Sequence, residues 1–235
     1  FVYYETLKNR YPNVRILTWK KEFNYSAINN FAVREARGEY LLFLNNDVEI
    51  ITENWLEEML QLCQQKDVGM AGAKLYYPDD TIQHAGVVVG LGGVAAHVLC
   101  KLPRDAEGYM GRLRCVQEIS AVTAACMMVK TSVFKAVGGF DEELKVAFND
   151  IDLCMKVRKY GVKIVFTPYA ELYHYESKSR GMEDTPEKQL RFSREVNCFR
   201  RKWERELLKG DPYYNPNLTL NNTDCSLRKQ EKNGD

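Results

Sequence analysis

The sequence lacks the features that mark several common classes of protein. Across 235 residues the charges nearly cancel, with 33 basic against 32 acidic side chains and a net charge of +1. Nothing in that balance points to nucleic acid as a partner. Seven cysteines are present, yet none forms a CxxC pair or joins a His/Cys cluster. They read as free thiols of a reducing compartment, not as a disulfide framework. No segment approaches the roughly 20 uninterrupted apolar residues of a membrane span, and no basic-then-apolar segment opens the chain. The expected location is therefore cytoplasmic, and the sequons at Asn24, Asn217 and Asn221 are expected to be chance. The run GVVVGLGGVAAH (86–97) has glycines but not the spacing of a phosphate-cradling loop, so a hairpin or loop is the expectation. No internal repeat is present.

What remains is ordinary material for a core. Hydrophobic residues make up 45% of the chain and charged residues 28%, enough for one large domain. Strand and helix patterns alternate. VRILTW (14–19) reads as a short strand. YSAINNFAVREARGEY then carries Ala27, Ile28, Phe31, Ala32 and Ala36 at helical spacing, with Ser26 as N-cap and Gly38 as stop. Tyr40–Leu44 reads as a strand covered on both faces. An amphipathic helix follows over 53–65 with Thr52 to cap it, then a strand over 68–77 ended by the turn Pro78-Asp79-Asp80. Further strands fall at 121–130 and 162–175, with helices at 131–137, 150–160 and 187–208. This rhythm predicts an α/β sheet with a parallel core. The polar stretch 176–188 and the turn-rich tail from 211 read as mobile.

Four stretches invite chemistry. In EYLLFLNNDVEI (39–50) an apolar strand runs straight into Asn45, Asn46 and Asp47. A carboxylate at the carboxyl end of a central strand sits where open α/β sheets bind ligands, and a hard oxygen there suits Mg²⁺ or Mn²⁺. Strand-end backbone capping is the plain alternative. In FNDIDLCMKVRKYG (148–161), Asn149, Asp150 and Asp152 crowd a helix start. The macrodipole accounts for one carboxylate, and one of the pair can serve as a general base. In ELYHYESKSRG, His174 closes a β-rich run, and Lys178 and Arg180 behind it offer charge to an anionic phosphate. In VGGFDEEL (137–144), paired glycines end a helix, and Asp141 is a turn residue or a contact to a hydroxylated ligand.

Taken in order, FNYSAINNFAVREARGEYLLFLNNDVEI, IQHAGVVVGLGG, TAACMMVKTSVFKAVGGFDEEL, FNDIDLCMKVRKYG, YHYESKSRG and GDPYYNPNL resemble family 2 of the glycosyltransferases. The likeness runs from about Phe23 to Leu227 and is to bacterial members that build O-antigen and rhamnose-containing polysaccharides. It implies a GT-A-like α/β fold, a mostly parallel central sheet flanked by helices. The domain would span 1–210, with a partly disordered extension over 211–235. It implies inverting sugar transfer from a nucleotide-sugar donor to an oligosaccharide or lipid-linked acceptor, with Mn²⁺ or Mg²⁺ as cofactor. Asp47 matches the last aspartate of the DxD metal motif, with Asn45 where the family has its first. Asp150 matches the catalytic base, beside Asn149 where the family has a glutamate. His174 matches a histidine that approaches the metal, while Asn45, Asn46 and Arg180 fall on the donor side. Gly139, Phe140, Asp141 and Asn149 fall on the acceptor side.

Family members carry an additional first strand–helix–strand, about 50 residues by the size of such units. The chain is accordingly expected to be truncated at its N-terminus and open at one sheet edge, through which it self-associates. Peripheral association with the inner face of the cell membrane is a further expectation. Two rivals stand beside this one: a metal-dependent phosphoryl-transfer or nuclease domain, and a non-catalytic interaction module of a polysaccharide-assembly protein.

Overall fold

A computed structural model describes residues 2–176 and 185–229. In chain order the elements are α1 (Val2–Arg10), α2 (Tyr25–Glu35), β1 (Tyr40–Leu44), β2 (Val48–Ile50), α3 (Trp55–Cys63), β3 (Val68–Tyr76), β4 (Ile82–His84), β5 (Val87–Val89), β6 (Ala95–His97), β7 (Gln117–Glu118), β8 (Cys126–Lys130), α4 (Thr131–Ala136), α5 (Asn149–Tyr160), β9 (Lys163–His174), α6 (Pro186–Lys202) and α7 (Glu204–Lys209). The main sheet runs β1-β8-β3-β9-β2, with β4 added on β3 and β7 on β9. The glycine-rich run forms the hairpin β5–β6, with Gly90 at φ 97° opening its turn.

The sheet is mixed, not mostly parallel. Among the described pairings only β3 with β9 is parallel, whereas β8 is antiparallel to both β1 and β3, and β2 is antiparallel to β9. The cause of the difference is physical. An apolar run reports that both faces of a strand are covered and says nothing of its direction. β3 illustrates this, being buried along its whole length. On one face α3 packs Trp55, Met59, Leu62 and Cys63 against β3, β8 and β9. Burial of side chains of this size contributes about 1.5–3 kcal/mol each. The other face holds the larger cluster that includes Phe43, Met70, Phe134, Phe140, Phe166 and Phe199.

Local details depart from expectation at four places. Residues 14–19 form no strand, because Val14, Ile16 and Leu17 stay exposed without a pairing partner. Asn24 rather than Ser26 caps α2, accepting from the Ala27 N–H at 3.0 Å, while the buried Ser26 hydroxyl donates to the Leu144 carbonyl. That helix ends at Glu35, before Gly38. Thr52 does not cap α3; its Oγ1 accepts from the Glu171 N–H at 3.2 Å and pins β9. The long C-terminal helix breaks at Trp203, whose φ of −115° leaves the helical region. All seven cysteines are free thiols.

Two long-range ties fix α5 relative to α6. Glu195 of α6 accepts from the Val146 and Ala147 N–H groups ahead of α5. Buried Asp152 of α5 accepts from Trp203 Nε1 at 2.8 Å and is paired with Lys202 and Lys156. Residues 211–229 join the same body: Asp211 accepts from the Val89 N–H and the Ser120 hydroxyl, and Tyr214, Leu218 and Cys225 are buried.

Candidate active site

The register of the sheet assembles the site. Because Leu44 lies opposite Cys126, β1 ends beside the start of β8, and the Asn45 N–H donates to the Ala125 carbonyl at 3.0 Å. The turn Asn45-Asn46-Asp47 then enters β2, whose Val48 lies opposite His174 at the end of β9. A strand end, a turn and a second strand end thus meet at one point.

His174 is held there in a defined tautomer. The Gln83 amide donates through Nε2 to the His174 carbonyl and to Glu176. Its Oε1 therefore faces His174 Nδ1 at 2.7 Å and accepts that hydrogen. Neutral His174 is left with a lone pair on Nε2, to which Asn45 Nδ2 donates at 3.1 Å. Burial lowers the His174 pKa, with Asp47 opposing. Asp47 Oδ1 lies 3.3 Å from the same Nε2, buried and without a hydrogen-bond donor. Two electron-pair donors facing each other in a buried site fit a cation between them, with imidazole and carboxylate both acceptable to a divalent metal. Among the described residues no group of three or more His, Cys, Asp or Glu side chains forms a metal site.

Asp150 reaches the same cavity from the other side. Phe148 adopts φ 60°, a left-handed turn that aims the first residues of α5. Asp150 Oδ2 then accepts from the Ala124 N–H at 3.1 Å and Oδ1 from the Ile151 N–H at 2.9 Å. The Tyr25 hydroxyl donates to the Ala124 carbonyl at 3.3 Å, and burial, then Asp150, push its phenol pKa up. Asn149 Nδ2 donates to the Val146 carbonyl. A cavity of about 660 Å³ is lined by Asn45, Asn46, Asp47, Asn149, Asp150 and His174 together. A larger cavity, about 1270 Å³, is lined by Lys74, Arg104 and Glu171 and contains none of those six residues.

The structure separates the two aspartates that the sequence left open. Asp152 is fully buried and neutralised by lysines, so it serves the packing of α5 on α6. Asp150 alone lines the cavity. Gly139, Phe140 and Asp141 are not brought into it. Phe140 is buried against Phe43 and Phe134 and stands behind Tyr25, with ring centroids 5.9 Å apart, and Asp141 pairs with Lys202. Gly139 has φ +67°, and an added Cβ would lie 2.7 Å from Asn30 Oδ1. Lys178 and Arg180 lie outside the described residues. Sequence reasoning missed Tyr25, Gln83, Thr123 and Arg191, which line or organise the cavity. Arg191 belongs to a helix whose charge was visible, but nothing local distinguishes it from its neighbours.

The sequence model of a glycosyltransferase-like family matches residues 12–195. An uncharacterized protein y4gI of Sinorhizobium fredii is 56% identical over 215 residues, covering 91% of this chain and 24% of that protein. The O-antigen biosynthesis protein RfbC of Myxococcus xanthus is 41% identical over 225 residues, 95% of this chain and 17% of that protein. The chain thus spans a quarter or less of the length of these two relatives. Among solved structures, GalNAc-T7 with UDP, GalNAc and Mn²⁺ shares the fold at a TM-score of 0.60 and 13% identity, over 79% of this chain and 36% of that one.

Proposed function

The chain belongs to the glycosyltransferase-like family, and we propose that it transfers a sugar from a nucleoside-diphosphate donor to a hydroxyl of a growing surface polysaccharide or lipid-linked acceptor, with inversion at the anomeric carbon. The observation that carries this is one cavity shared by the unpaired Asp47 Oδ1, the His174 Nε2 lone pair and Asp150.

Asp150 takes the proton of the acceptor hydroxyl as that oxygen bonds to the anomeric carbon and the bond to the diphosphate breaks. General-base assistance of this kind contributes about 10²–10⁴-fold. Ala124 N–H holds the carboxylate in place, and Tyr25 braces Ala124. Asp47 and His174 would hold the Mn²⁺ or Mg²⁺, which when bound neutralises negative charge on the departing diphosphate. Asn45 and Asn46 border the donor, and Arg191 and Arg180 offer it positive charge. The turn at Gly139, Phe140 and Asp141 shapes the acceptor side from behind Tyr25. Among the described residues no helix is long and apolar enough to cross a membrane. The setting proposed is the cytoplasm, at the inner membrane face for a lipid-linked acceptor. The edge of β1, paired only with β8 among the described strands, is where a second copy would add.

A screen of nucleotide sugars with Mn²⁺ and an acceptor glycan tests the proposal. Release of nucleoside diphosphate coupled to extension of the acceptor supports it. Cleavage of a phosphodiester without sugar transfer supports the rival phosphoryl-transfer chemistry instead.

A further inference from the structure

The chain contains three histidines, and the proposed reaction uses one. The other two lie at the ends of β4 and β6. His84 is fully buried and His97 half-buried. Their Nδ1 atoms are 3.0 Å apart and their rings meet edge-on, with centroids 4.8 Å apart. One hydrogen must lie between those two nitrogens, because two lone pairs at that distance repel.

The far side of His84 decides which ring supplies it. The Thr123 backbone N–H faces His84 Nε2 at 3.5 Å, so that nitrogen offers a lone pair. Neutral His84 then carries its hydrogen on Nδ1 and donates it to His97. Burial pushes both imidazoles below the ordinary histidine range, with Asp150 and Glu176 pulling His97 the other way. Both rings are therefore neutral near pH 7. The very next amide after Thr123 is Ala124 N–H, the donor to Asp150 Oδ2. Adjacent residues of β4 thus serve opposite walls of one cavity: Gln83 sets the tautomer of His174, and His84 contacts the backbone that holds Asp150.

We propose that His84 and His97 are positioning residues whose fixed tautomers hold the Thr123–Ala124 backbone and thereby orient the Asp150 carboxylate. What Asp150 does rests on the sugar-transfer function; the clamp itself does not. Neither histidine touches a reacting atom in this scheme. The pair acts only through the two amides.

Long-range ¹H–¹⁵N spectra of the histidine rings in the 235-residue chain test it directly. His84 is expected with its hydrogen on Nδ1 and His97 with its hydrogen on Nε2. His97→Leu removes the acceptor, so His84 is free to move its hydrogen to Nε2, where it opposes the Thr123 N–H. The Thr123 and Ala124 amide resonances should then move while that of Val129 in β8 stays. His97→Asn, which returns an acceptor oxygen near the place of Nδ1, should restore the parent positions. A parent His84 protonated on Nε2, or Thr123 and Ala124 amides unmoved in His97→Leu, overturns the proposal. If His97→Leu does not fold, the parent tautomers alone decide. Nucleoside-diphosphate release by the parent separates the two claims. A parent inactive across the screen sinks sugar transfer and leaves the tautomer result standing. With an active parent, His97→Leu should lower kcat about 10-fold, part of the roughly 10²–10⁴ from a general base, with the donor KM unchanged. An unchanged kcat overturns the positioning role.

Discussion

Asp47 Oδ1 and His174 Nε2 face each other at 3.3 Å with no hydrogen between them. Gln83 holds the imidazole hydrogen on the opposite nitrogen, so neither atom is a donor. Asp47 Oδ1 is buried without a donor, and the Nε2 lone pair is met only by the Asn45 amide; a cation that displaced that amide would satisfy both atoms. Mn²⁺ binding to the protein, followed by the paramagnetic broadening of nearby resonances, should therefore be lost in Asp47→Asn and weakened at least about 10-fold in His174→Gln. Equal binding by both variants and the parent would place the metal elsewhere.

In the proposed site Gln83 would act on the metal only through His174. Replacing it with leucine frees the imidazole to turn over or change tautomer without removing a ligand. The expected cost is about 10–100-fold in Mn²⁺ affinity, the usual range for a group that orients a metal-binding histidine. Titration of Gln83→Leu with Mn²⁺ checks this, and an affinity equal to the parent's contradicts it.

Asp150 and Asp152 differ in what they hold up. Asp152→Ala leaves Lys156 and Lys202 without their buried partner and Trp203 without its acceptor. It should destabilise the fold by about 3–5 kcal/mol. Asp150→Ala removes only two N–H contacts at a helix start, worth about 1 kcal/mol. Urea unfolding of the two variants compares them, and equal losses would contradict the division of labour.

Acid stability follows from the histidines. His84, His97 and His174 are all lowered in the folded chain, while the unfolded chain holds them at about 6.5. Between the folded and unfolded values the unfolded chain binds more protons, so stability rises with pH there and is lost as pH falls. The urea midpoint should drop steadily from about pH 6.5 to pH 5 and stay level above about pH 7.5. A midpoint flat from pH 7 to pH 5 would contradict the burial assigned to these rings.

The sequence disclosed the places where chemistry breaks a structural pattern, and hid those where it does not. Asn45, Asn46 and Asp47 stand out because polar residues interrupt an apolar strand, and Asp150 because two carboxylates exceed what a helix start needs. Gln83 and His84 sit in a three-residue strand with no such contrast, and their roles arise from contacts to His174 and Thr123, 91 and 39 residues further along the chain. Strand direction was hidden for a related reason. Antiparallel return of β8 between β1 and β3 depends on the connection through residues 77–125, which carries little periodic pattern. By local pattern alone Asp152 looked equal to Asp150; the resemblance singled out Asp150, and the helix places one toward α6 and the other toward the cavity.

The most direct test of the whole scheme is sugar transfer and donor binding measured side by side for the parent and Asp150→Asn, which keeps the shape and removes the base. Transfer should be abolished while nucleotide-sugar binding in the presence of Mn²⁺ stays within about two-fold, since a base acts on the reaction and not on the bound donor. An Asp150→Asn protein that transfers sugar at the parent rate would contradict the account.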